Sequence, residues 1–494
     1  MNSQSRLPQA LSWLNGPPVA TLSSRQYHIA LLLIGHAVFL TYLVMGWTLF
    51  KERMIAFDSS FYAFQMISKE GFNIEHNRYI SYTSQWLPLL GLQLGVGLET
   101  FMRLYSAGFM LFYYVLFCII AHGFRNPGAG IFMGLLLCLT VRYKYYTGVS
   151  EVTPSLAMCG LLMGWISRPE NVLRGLHLIG RLFIGFIIIF IAYQSHPFVV
   201  FPFLVILGTD ISFNNKWKDP EAWGLVTLAI LWYLGESWVL PLDGYESGKM
   251  SNLNKLPEML PTLREHWVYQ KFMRYLKEEC FWAYTGYFVL LGGLLLKRKW
   301  LTALLMASAM PVHVVIVVVV YHQGETQNML ESYYAYWGIF TSVMLYYLLI
   351  QSKWRIISTG VCVFLLAISM NGILEKRIHF QERLGFYDQV KSEFMGNGDT
   401  KLLFPADRVP WDLIWSDWAL PFESILYYSL EGPEQAATLY PYRNLDKVGP
   451  YLDQPEAFLG PIWELGMYDP RKFRRDYFQL PAQLYRVIPP KKAP

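Results

Sequence analysis

Two carboxylates hold the positions from which this sequence could do chemistry. Asp58 follows the first long apolar run, in Lys51-Glu-Arg-Met-Ile-Ala-Phe-Asp58-Ser-Ser-Phe-Tyr62, and Glu151 opens a later one, in Gly148-Val-Ser-Glu-Val-Thr-Pro154. A carboxylate near a membrane face is costly unless it is paired or wet, so each marks either a working cavity or a local structural task. For Asp58 the structural task is capping. Phe61, Phe64, Ile67 and Ser68 recur at helical spacing behind it, and Asp accepts hydrogen bonds from the free amides of a first helical turn. For Glu151 the structural task is an ion pair with Arg142 or Lys144. The catalytic alternative is a carboxylate kept at a membrane surface above an amphipathic helix.

The elements that must position these groups are membrane helices. A chain of 494 residues with 54% hydrophobic and only 16% charged residues, and a mean hydropathy of +0.27, is not built like a soluble protein. Aromatics at 17% suit a surface lying largely at two bilayer interfaces. The net charge of +5 comes from short basic loops between apolar runs, with no basic tract of the kind that binds nucleic acid. Four of the five cysteines, Cys118, Cys138, Cys159 and Cys362, fall inside apolar runs and Cys280 lies at the edge of one, so no disulfide framework is expected.

Residues 1–26 read as a polar cytoplasmic leader, and 27–373 as a transmembrane domain whose first outer loop is 51–100. The spans fall near 27–50, 101–122, 127–142, 152–167, 178–194, 198–211, 222–240, 281–296, 300–320, 333–350 and 354–372, about eleven in all, several of them short for a full crossing. With the N-terminus inside, one set of loops holds Arg125, Arg168, Arg174, Lys216, Lys218, Lys297-Arg-Lys299, Lys353 and Arg355. The other set holds the longest insertions and most of the acidic residues, an alternation that follows the positive-inside rule. An odd number of crossings puts residues 374–494 outside, as a small α/β domain with a helix over Arg377–Phe394 and a strand-like Lys401-Leu-Leu-Phe404.

The stretch 85–106 carries a resemblance. Pro88 in an apolar lead-in, Gly97 about nine residues on, and Arg103-Leu-Tyr-Ser106 opening the next span resemble the polytopic glycosyltransferases of the GT-C type. The nearest likeness is to bacterial relatives of protein O-mannosyltransferases and of the enzymes that add aminoarabinose to lipid A. Those proteins place one acidic residue after the first span and a second at the opening of the fourth, where this chain has Asp58 and Glu151. Ser195-His196-Pro197 stands where the family often has Lys-Gly-Pro, and Glu331-Ser-Tyr-Tyr334-Ala-Tyr336 matches a Tyr-rich opening to a late span. The resemblance covers roughly residues 27–350. This chain departs from it in having Ser59 after Asp58 and Thr83-Ser-Gln-Trp86 before Pro88.

The resemblance implies an enzyme of the bacterial cytoplasmic membrane that moves a sugar from a polyprenyl-phosphate carrier to a lipid, glycan or protein acceptor on the outer side. A phosphate leaves as an anion, so the reaction needs one carboxylate to take the acceptor's proton and positive charge to steady the phosphate. Attack opposite the leaving group inverts the anomeric centre. Asp58 is then the base, and Glu151 positions the acceptor or helps hold a cation. Arg78, Arg142, Lys144, His196 and His322 are the candidates for the phosphate, each with an alternative as an interfacial cation, and His196 also as the cap of a helix break. Tyr333 and Tyr334 are a sugar platform or interfacial belt. His322 and Glu325 form no ligand cluster of the usual spacing; a divalent ion held by Asp58 or Glu151 and the phosphate stays open, and no other cofactor is implied. The competing classes are a lipid or small-solute transporter and a non-catalytic scaffold of the same fold. Transporters bury charge at mid-bilayer between paired halves, whereas the acidic residues here lie at span ends.

Overall fold

In the computed structural model, residues 22–150, 152–170, 172, 176–239, 244–322, 327–396 and 398–491 are described. Every apolar segment named above is helical. Five helices are long and apolar enough to cross a membrane: Ser24–Thr48, Leu98–Gly123, Trp300–Val320, Leu330–Ile350 and the apolar part of Arg355–Phe394. A sixth crossing is available to Trp267–Glu278 with Phe281–Leu296, which meet at 87°. Pro127–Cys138, Val152–Ile166, Leu178–Tyr193 and Val200–Phe213 are apolar but shorter. The chain is thus a helical membrane protein.

Burial explains how short helices coexist with long ones. Every residue of Pro127–Cys138, and all of Val152–Ile166 except its last, is buried inside the bundle. These two pack closely, and a Cβ on Gly160 would lie 2.4 Å from that of Met133, so only glycine permits the approach. The outer helices instead turn large apolar side chains outward, among them Leu33, Val44, Ile179, Phe183, Val289 and Leu304. An apolar surface of that extent suits contact with lipid.

The connections sort into two layers, one at each end of the bundle. At one end Arg355 donates to Leu22 O (3.0 Å), Asn126 to Ser167 O (3.0 Å), and Lys299 to Phe213 O (2.6 Å), while Arg168 pairs with Glu221 (2.7 Å). At the other end the Gly148 amide donates to Arg53 O (3.2 Å), Ile80 to Gln194 O (3.3 Å) and Arg142 Nε to Glu279 O (3.1 Å). There too Lys376 pairs with Glu279 (2.6 Å) and Arg377 with Glu52 (2.8 Å). Each of these contacts joins two loops of the same charge-patterned set.

The last helical stretch, 40 residues from Arg355 to Phe394, is roughly 60 Å long, about twice a hydrocarbon core. Its second half, Arg377–Phe394, carries most of the charged residues and projects into a terminal domain. There β1 (Lys401–Pro405) pairs in parallel with β2 (Thr438–Tyr442) and with β3 (Arg486–Val487), in the order β2-β1-β3. Helix Leu420–Ser429 makes the crossover from β1 to β2.

Candidate functional site

Asp58 is the second residue of helix Phe57–Lys69 and is half-buried. The capping expectation fails: the N-cap is Ala56, which has no side chain to bond, and the Phe57 amide is taken by Glu423 Oε1 of the terminal domain at 2.7 Å. The helix is also not laid on a membrane surface, since nine of its thirteen residues are buried. Phe64 packs among Phe422, Phe458, Phe473 and Phe478, so the helix is held between the bundle and the terminal domain. Phe57 itself has φ +48°, a conformation costly for a bulky residue. It is fixed by stacking on Trp415 (centroids 5.5 Å) and by the Arg383 guanidinium 4.3 Å over its ring.

The Asp58 helix is tied directly to the segment that leads into Glu151. Ser59 Oγ accepts from the Val149 amide at 2.9 Å, and Arg53 O accepts from the Gly148 amide. Glu151 itself lies outside the described residues, as does Glu325. Loops nearly a hundred residues apart thus meet at one point beneath the terminal domain.

Around that point stand two buried cations. Arg53 Nε donates to Ser106 Oγ at 2.8 Å, another of its nitrogens donates to Tyr145 O, and its guanidinium lies 4.4 Å over the Tyr145 ring. With Lys144, Tyr42, Tyr113, Thr153 and others it lines a cavity of about 20 Å³, room for one or two waters. The turn carrying Lys144 is set by Glu331, which is fully buried and accepts from three successive amides. Its Oε1 takes those of Arg142 and Lys144 (3.1 Å for the latter), and its Oε2 takes that of Tyr143 at 3.0 Å. Successive amides converging on one carboxylate form an anion nest, filled here from within the chain.

The remaining candidates separate by surroundings. Arg142 commits its guanidinium to Cys138 O (2.9 Å), Val141 O (2.7 Å) and Glu279 O (3.1 Å), a task within the loop layer. Arg78 is half-buried, and its neighbour Ile80 bonds Gln194 O, which brings it beside the 194–196 turn. In that turn His196 Nδ1 accepts the Phe198 amide at 3.1 Å, capping the helix break, and its ring meets Tyr333 edge-on at 5.6 Å. Tyr333 in turn stacks on Tyr321 at 3.9 Å. Tyr334 is buried against Phe272 (4.6 Å) and Tyr275 (5.3 Å), so it is core and presents no platform. His322 lies apart, with Lys255 Nζ at 3.0 Å and its carbonyl accepting from Trp267. Among the described residues no three His, Cys, Asp or Glu side chains converge as a metal site.

Sequence reading assigned no role to Arg53, Glu331 or Glu423. Each is an ionisable residue in or beside an apolar stretch, a signal that such a residue has a specific partner, but nothing local names that partner. Comparison with known protein families, with curated proteins and with solved structures finds no match for this chain.

Proposed function

We propose that this chain is a GT-C type glycosyltransferase of a bacterial cytoplasmic membrane. It moves a sugar from a polyprenyl-phosphate donor to an acceptor on the extracytoplasmic face with inversion. Asp58 takes the acceptor's proton, Glu151 positions the acceptor or a cation, and Lys144 supplies positive charge near the departing phosphate. The observation that carries this reading is the Ser59–Val149 hydrogen bond (2.9 Å), which fastens the Asp58 helix to the residues leading into Glu151. A general base bound to one loop and an acidic partner on another need such a tie to hold their geometry within the fraction of an ångström that proton transfer requires.

The test is transfer in proteoliposomes supplied with undecaprenyl-phosphate-linked hexoses and a membrane extract as acceptor, scored by release of the carrier phosphate. Asp58→Asn keeps the side chain's shape and removes the base, so release falls by about 100-fold or more with an unchanged melting temperature. Turnover by Asp58→Asn at the wild-type rate removes the catalytic assignment.

A further inference from the structure

The terminal domain holds a second cleft. It measures about 330 Å³ and is lined by Asp417, Trp418, Tyr440, Tyr442, Arg443, Asn444, Lys447 and Trp463, among others, which puts it in the size range of small-ligand sites. Its place in the fold is informative. All the strands of the sheet run parallel, and in open parallel sheets ligands bind in the crevice beyond the strands' carboxyl ends. Strand β2 ends at Tyr442, and Arg443 and Asn444 follow it directly into the cleft.

The chemistry of the lining narrows the ligand. Trp418 and Trp463 stand 5.9 Å apart with their planes at 48°, and Trp463 is 58% exposed, as is its neighbour Ile462 at 49%. Such an angled indole pair offers π faces, negative at their centres, to the weakly positive C–H faces of a pyranose ring. Asp417, Asn444 and Arg443 surround it with the donors and acceptors that sugar hydroxyls use. Arg443 and Lys447 are exposed and have no ion-pair partner among the described residues, while the nearby Asp446 is hydrogen-bonded to Asn444 (3.2 Å). Among the side chains that line the cleft two cations face one carboxylate, that of Asp417, while Asp446 keeps its charge just outside the lining.

The geometry points to a binding site for an anionic saccharide in this cleft. Trp418 also meets Phe61 edge-on at 6.0 Å, and Phe61 lies one helical turn from Asp58 in the same helix. Trp418 therefore stands beside the Asp58 end of that helix. On the proposed transferase reading, which this part of the inference rests on, the cleft holds the acceptor and makes it a glycan chain.

Binding is measured by calorimetry on the full chain in nanodiscs, with a hyaluronan hexasaccharide as the acidic probe and maltohexaose as the neutral one. The acidic probe binds the wild type, and binding weakens at least tenfold in Trp463→Ala and in Arg443→Ala/Lys447→Ala. Both variants change exposed side chains, so their melting temperatures stay at the wild-type value. Asp58→Asn binds the acidic probe as tightly as the wild type, which separates loss of the base from loss of the cleft. No heat from either probe at millimolar concentration, or binding that survives Trp463→Ala, overturns the site. Equal binding of maltohexaose overturns its preference for negative charge.

Discussion

Replacing Glu423 by alanine should uncouple the terminal domain from the Asp58 helix. In the folded chain Glu423 and Arg383 are 0% and 1% exposed, and Glu423 also accepts the Tyr387 hydroxyl and, at 2.7 Å, the Phe57 amide. Arg383 keeps bonds to Leu413 O (2.7 Å) and Ile414 O (3.0 Å) when the carboxylate is gone, but its charge is then buried with no counter-ion. Removing one partner of a buried pair costs about 3–5 kcal/mol, and the orphaned Phe57 amide adds roughly 1–3 kcal/mol. Against a total stability on the order of 5–15 kcal/mol for a domain, the loss lowers the melting temperature by about 10–20 °C. The readouts are thermal melting in detergent and protease cleavage near Lys376, where the helix leaves the apolar bundle. The double replacement Glu423→Leu/Arg383→Met removes both charges and should melt well above Glu423→Ala, because the uncompensated ion is gone. If Glu423→Ala melts with the wild type, or the double replacement is no better than the single one, the buried pair is not what holds the two parts together.

Gly372→Ala should destabilise by about 1–3 kcal/mol through overpacking, because a Cβ there would lie 2.8 Å from Arg142 Nε and the guanidinium is held by three carbonyls; wild-type melting would mean that Arg142 has slack. Burial pushes the Lys401 ammonium down to about 8 against the opposing pull of Glu456. The unfolded lysine stays near its ordinary value of about 10.5, so between roughly pH 8 and 10.5 the unfolded chain binds more protons and the domain's stability rises with pH. Below about 8 the cost is present in full. Melting temperatures from pH 7 to 10 should therefore climb for the wild type relative to Lys401→Met, and parallel curves for the two proteins would refute the burial argument.

The helices and their order were legible in the sequence, whereas of the eleven expected spans five among the described residues, or six with the bent pair, are long and apolar enough to cross a membrane. Apolar run length and loop charge are local properties, and lipid imposes them on each segment separately. The boundaries of Arg377–Phe394 and the strand beginning at Lys401 follow from periodicity in the same way. The residues that hold the candidate site were not legible. Glu423 reaches Phe57 across 366 positions and Glu331 reaches Arg142 across 189, and a single chain carries no mark of which distant amide a given carboxylate will meet. Asp58 looked like a cap because its own surroundings suit one. Tertiary packing gave the first amide of that helix to Glu423, since a buried carboxylate paired with Arg383 needs its remaining lone pairs satisfied. What the sequence by itself determined is which segments are apolar helices and which loops join them. Only the tertiary structure decided which of those loops touch, because contact there depends on desolvated pairs whose partners are brought together by packing.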